Sequence, residues 1–117
     1  MARTIKWTES AINDLEEVAG FIARDSQFYA TTVVKKARKA AQSLRFSAER
    51  GRVVPENNSS DIRELFLWQY RLIYKVTSHN IYVLAFIHGT RDLESLWKRR
   101  GEPEDINSCS VKTKELK

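Results

Sequence analysis

Apolar positions follow one rhythm in the first half of the chain and another in the second. Thr4–Trp7 is a short β-type run. Behind it Ala11, Leu15, Val18 and Ile22 recur at helical spacing, forming one face of an amphipathic helix. Thr8 stands where an N-cap belongs, with Glu9 and Asp14 toward the positive helix end. The spacing predicts a helix over about 8–24, with Glu9, Asp14, Glu16 and Glu17 on an acidic outer side. Ser26 is placed to cap a second helix over about 27–46, whose stripe is Ala30, Val33, Val34, Ala37, Ala41 and Leu44. Ala37 and Ala41 permit close approach of a neighbour. The short connection Asp25–Gln27 predicts an antiparallel helical hairpin. Lys35, Lys36, Arg38, Lys39 and Arg45 make the second helix basic, so attraction to the acidic first helix is expected.

Gly51 to Ser60, with Pro55 and Asn57-Asn58-Ser59-Ser60, reads as a loop. Beyond it the period becomes two. Arg63, Leu65 and Leu67 oppose Ile62, Glu64 and Phe66, and Arg71, Ile73 and Lys75 oppose Leu72, Tyr74 and Val76. A third run covers Ile81–Ile87. Ser78-His79-Asn80 suits a tight turn, and Trp68-Gln69-Tyr70 a turn or a bulge. Three strands with short connections predict an antiparallel meander. Gly89 ends the last strand, Arg91–Arg99 suits a short helix with Leu93, Leu96 and Trp97 apolar, and the chain is polar from Gly101. The predicted order is β–α–α–β–β–β, an α+β fold. The hairpin packs on one face of an antiparallel sheet, and the other face carries every second strand residue, some of them basic. The division expected is a domain over 1–100 and a poorly ordered tail over 101–117.

Length and charge then narrow the function. A chain of 117 residues makes one domain. Its 20 Lys and Arg exceed its 15 Asp and Glu, and the net charge of +5 suggests an anionic partner. One cysteine, Cys109, excludes an intrachain disulfide and fits a reducing compartment. No apolar run approaches the ~20 residues that span a bilayer, and Met1–Trp7 lacks the apolar core of a signal peptide. A cytoplasmic protein with no membrane partner is expected. One Cys and two distant His make no zinc site, and no cofactor motif is present, so no metal or cofactor is expected.

No standard catalytic constellation occurs. Cys109 paired with His79 or His88 is a weak candidate because of its place in the tail. Asp92 and Glu94, two apart on a helix, do not face each other. The stronger signal is cationic. Arg63, Arg71, Lys75 and Arg91 lie in or just after the strands, and Arg suits bidentate contact with phosphate or carboxylate. Trp68, Tyr70, Tyr74, Tyr82 and Trp97 are available to stack on bases. The competing reading is a solvated sheet face whose cations pair with Glu64 or Asp61. Arg71 lies mid-strand among large hydrophobics and Arg91 just past the next strand, so antiparallel neighbours would let them converge. His88, at a strand end, suits either a structural hydrogen bond or proton transfer near neutrality.

The helix Ala11-Ile12-Asn13-Asp14-Leu15-Glu16-Glu17, the tract from Arg63 to Tyr74 and the closing Val83–Asp92 together resemble the RelE/ParE toxin superfamily. Gly51-Arg52-Val53-Val54-Pro55-Glu56 ahead of Arg63-Glu64-Leu65 is similar to the ParE branch. The resemblance covers about residues 3–97 and rests on the order of motifs that are individually weak. It implies that Thr4–Trp7 pairs within the same sheet as the fourth strand of a four-stranded antiparallel sheet, and that the chain is the toxin of a type II toxin–antitoxin pair, neutralised by a small cognate antitoxin. RelE-like members cut mRNA on the ribosome, whereas ParE-like members inhibit DNA gyrase. Carried over position by position, the strand Arg matches Arg71 and the Arg after the last strand matches Arg91. Trp97 stands where RelE-like members have a catalytic Tyr. Their two strand lysines fall on Ile62 and Glu64, with Arg63 between them on the opposite face. The expectation is therefore ParE-like gyrase inhibition. The alternative is a ribosome-dependent mRNA endoribonuclease using Arg71, Arg91 and His88, so enzymatic character stays open. The binding residues expected are Arg63, Tyr70, Arg71, Lys75, Arg91 and Trp97. An interaction-only relative is the third reading, in which the Arg71 guanidinium is structural and pairs with Asp92 or a strand carbonyl.

Overall fold

The structure, a computed structural model, describes residues 2–55 and 60–89. Strand β1 (Thr4–Trp7) leads into helices α1 (Glu9–Ala23) and α2 (Gln27–Ser43). A single 3-10 turn at Ala48–Arg50 follows, then β2 (Arg52–Val53), β3 (Ile62–Leu67), β4 (Tyr70–Val76) and β5 (Asn80–His88). The α+β class, the hairpin and the meander β3–β4–β5 are as the periodicity predicts. The sheet differs from expectation in two ways. Among the described residues it has five strands in the order β1-β5-β4-β3-β2, and β1 runs parallel to β5, so it is mixed. Alternation assigns side chains to faces but carries no strand direction, and β2, two residues long, is too short to show a period.

Thr8 caps α1 as expected, accepting from the Ala11 amide at 3.2 Å, and its hydroxyl donates to the Val83 carbonyl at 2.9 Å. The same residue thus starts the helix and ties it to β5. Asp14 belongs to neither the exposed side nor the helix dipole. It is buried, and its Oδ2 accepts from the Phe86 amide at 3.1 Å. Among the described residues β1 pairs only with Asn80–Val83, and Asp14 takes the amide of Phe86, further along that edge of β5. Ser26 caps α2 by accepting from the Tyr29 amide at 3.2 Å. The helix stops at Ser43, short of the expected 46, with buried Leu44 as its C-cap residue.

The main core lies between the hairpin and the sheet: Ala11, Ile12 and Leu15 of α1, Val33, Ala37 and Ala41 of α2, and Leu72, Tyr74, Val83 and Phe86 beneath them. The opposite face is not simply solvated. Val54, Ile62, Ile73, Leu84, Ala85 and Ile87 form a second buried cluster there. A bulge helps build it. Ile73 pairs with Ala85 but Tyr74 pairs with Val83, leaving Leu84 as the extra residue. The attraction expected between α1 and α2 takes no form of ion pairing with the α2 lysines. Among the described residues, the helices meet through alanines and valines while those cations face outward.

Candidate functional site

Strand register concentrates charge at one place on the second face. Arg52 of β2 lies directly across from Glu64 of β3, and Arg71 of β4 pairs with Phe66, one same-face position away from Glu64. All four side chains therefore share a face. The Glu64 carboxylate is fully buried and holds both cations. Its Oε1 accepts from Arg71 Nε and Nη2, each at 2.6 Å, and its Oε2 accepts from Arg52 Nε at 2.5 Å. Arg71 is itself buried, with 5% of its side chain exposed, while Arg52 is 60% exposed and lies 5.0 Å from the Phe66 ring centroid. A buried carboxylate without a counter-ion is strongly disfavoured, and here two guanidiniums supply the charge.

The other face of β3 fastens the segment that carries Arg52. Tyr74 donates its buried hydroxyl to the Ala48 carbonyl at 2.8 Å and accepts from the Gly51 amide at 2.9 Å. Arg63, paired with Tyr74 in the ladder, donates to the Gly51 carbonyl at 2.9 Å. Position 51 has to be glycine, because a Cβ there would lie 2.5 Å from both the Glu64 carbonyl oxygen and the Tyr74 hydroxyl. Burial pushes the Tyr74 hydroxyl above its ordinary pKa, against the lowering effects of the Gly51 amide and Arg63.

At the end of the sheet, Leu67 pairs with Tyr70 and leaves the two-residue loop Trp68-Gln69. Trp68 adopts a φ of 56°, the left-handed region that a non-glycine residue occupies at a cost. Trp68 is 57% exposed and Phe66 55% exposed. Gly89 donates to the Gln69 carbonyl at 2.7 Å, seating the end of β5 beside the loop. Tyr70 is buried, stacked on Phe86 and edge-on to exposed His88 at 6.0 Å. The site is a sheet end where exposed Phe66 and Arg52 lie over a buried ion network, exposed Trp68 stands in the adjoining loop, and the exposed imidazole of His88, paired with Tyr70, lies on the hairpin side.

Of the residues singled out from sequence, Arg71 is brought to the site but buried in it, and Tyr70 and His88 border it. Arg63 faces the other way, and half-buried Lys75 lies further along β4 beside Tyr82. Arg91, Trp97, Asp92, Glu94, the helix over Arg91–Arg99 and Cys109 lie outside the described residues. Sequence reasoning passed over Arg52 as a loop residue. The signal available was an acid, Glu64, and a base, Arg71, set among hydrophobics on consecutive strands, a pairing that the solvated-face reading offered only at the surface. No group of three metal-ligating side chains occurs among the described residues, and no helix there is long and apolar enough to cross a membrane.

No curated protein matches this sequence. Among solved structures, the chain resembles one described as "Chromosomal ParDE TA system from P. aeruginosa", with a TM-score of 0.61, 21% identity, and coverage of 74% of this chain and 96% of that one. That likeness establishes the fold. Residues 5–93 match the family described as "ParE toxin of type II toxin-antitoxin system, parDE". With the match covering most of the chain, the protein belongs to the ParE toxin family.

Proposed function

We propose that the protein is a cytoplasmic toxin that inhibits DNA gyrase by binding it, and that a cognate antitoxin neutralises it. The observation that carries this reading is the state of Arg71. An arginine that serves RNA cleavage must reach a phosphate in the transition state. Here its guanidinium is buried and charge-matched by Glu64, so binding a phosphate would require breaking a buried ion pair. A gyrase inhibitor needs no reactive group. It needs a recognition surface, and exposed Phe66 beside Arg52, with exposed Trp68 two residues further on, has the composition of an interface anchor.

Two observations support the antitoxin. The similar P. aeruginosa structure is described as a ParDE system. The hairpin of this chain also leaves Phe21, Phe28 and Tyr29 exposed near a groove of about 350 Å³, floored by Ala19, Gly20, Ala23 and Ala30. Exposed apolar surface of this kind suits a segment that folds as it binds.

The test is a gyrase supercoiling assay with the purified chain at micromolar concentration, alongside primer extension on translated mRNA. Inhibited supercoiling with intact mRNA is the expected result. Unaffected supercoiling ends the gyrase reading, and ribosome-dependent cleavage would replace it with the nuclease.

A further inference from the structure

We propose that the outer face of α2 is a sequence-independent binding surface for the phosphate backbone of duplex DNA. From Ser26 to Ala48 the chain has five cations and no Asp or Glu. Lys35, Lys36, Arg38 and Lys39 are all exposed and lie on the side of the helix opposite buried Ala30, Val33, Ala37 and Ala41. None of the four makes an ion pair or hydrogen bond with a described residue. With Thr32 and Gln42 they line a surface recess of about 440 Å³. From Thr32 to Gln42 the helix rises about 15 Å, and B-DNA presents one charge per ~1.7 Å of its axis.

The composition of the face selects among polyanions. An acidic peptide loses conformational freedom when it docks and needs apolar anchors to offset that cost. The recess contains Thr, Lys, Arg and Gln only. A single strand is held by aromatic platforms interleaved with cations. The aromatics of α2, Phe28 and Tyr29, sit together at its first turn, 5.7 Å apart edge to face, outside the recess. A duplex is already ordered and requires only charge, which is what the face supplies. This inference is independent of the gyrase reading.

The test is fluorescence anisotropy of the full chain with a labelled duplex of about 24 base pairs, longer than the face, and with a shuffled duplex of the same length. Four phosphate contacts give a slope of log K on log salt of about −3.6, and a fall of about 150-fold in affinity from 50 to 200 mM NaCl. Lys35→Gln with Lys39→Gln removes two contacts, so the slope relaxes to about −1.8 and the fall to about 12-fold. Both side chains are exposed, so the melting temperature is expected to hold, which circular dichroism verifies. Equal affinity for the two duplexes supports the proposal. A salt-insensitive affinity, or a wild-type slope in the double variant, overturns it. Tighter binding of a single strand of equal length would make the face a stacking site. Tighter binding of a polyglutamate peptide would make it a protein-docking face. Either result also overturns the proposal.

Discussion

Replacing Glu64 by Gln leaves its shape almost unchanged and removes the negative charge that balances two arginines. The two partners are unequal. Arg52 has 60% of its side chain in solvent, so its pairing is screened and contributes at most about 1 kcal/mol. Arg71, 5% exposed, has no comparable recourse to water, and removing one member of a buried pair costs about 3–5 kcal/mol. For a domain whose stability is about 5–15 kcal/mol, that is a large share. Urea denaturation followed by circular dichroism reads it directly. With an m-value of about 1.5 kcal/mol per molar, the midpoint drops by about 2–3 M. Arg52→Gln should move it by less than about 0.7 M, on the same conversion. The combined variant Glu64→Leu, Arg71→Met removes both buried charges and is expected to recover most of the loss, since apolar replacement of a buried pair is often neutral. If Glu64→Gln shifts the midpoint by less than about 0.5 M, or if the combined variant is no better than the sum of the singles, the buried pair does not stabilise the sheet as argued.

Three further outcomes follow from other parts of the molecule. Tyr74→Phe removes the hydroxyl that serves Ala48 and Gly51 and should cost about 1–3 kcal/mol at neutral pH. Because the folded-state pKa of Tyr74 is raised above 10.0, its contribution is complete below pH 10 and is lost as the pH rises further through the folded value. The stability gap between wild type and variant should therefore narrow above pH 10, and a gap that widens there would contradict the burial argument. Ala41→Leu, at a fully buried helix contact, should overpack the hairpin by about 1–3 kcal/mol, and an unchanged melting temperature would refute that packing. Trp68→Gly relieves the left-handed backbone at the loop, a gain of about 1–2 kcal/mol offset by about 0.5–1 of glycine entropy. Its melting temperature should not fall, while inhibition of gyrase should weaken if the exposed ring is a contact.

The helices were legible because apolar spacing and capping residues agreed: Thr8 and Ser26 cap where the sequence places them, and Ala11, Leu15, Ala37 and Ala41 are buried. The three long strands were legible because β3 and β4 alternate over six or more residues and β5 is a continuous run rich in β-branched and aromatic side chains. What escaped detection depended on tertiary partners. Asp14 looks like a surface acid until β5 brings the amide of Phe86 to it. Arg52-Val53 looks like loop until β3 lies alongside. The meaning of Arg71 was the hardest to read. An arginine among hydrophobics is ambiguous between an active-site cation and half of a buried pair. The two are distinguished by how far away Glu64 is and how much solvent reaches it, neither of which a one-dimensional pattern contains.

The parallel pairing of β1 with β5 has a consequence for the order of folding. Thr4 pairs with Asn80, and the other β1 positions have partners at the same distance along the chain, so the first strand made must wait for the last of the described strands. Contacts this distant in sequence close expensive loops before they stabilise anything, and such topologies fold slowly. The wait extends to α1, since Thr8 and Asp14 are both fastened to β5. A chain stopped after β4 would lack the seat of the hairpin, the partner of β1 and one neighbour of β4. Completion of β5 is therefore the step that supplies all three.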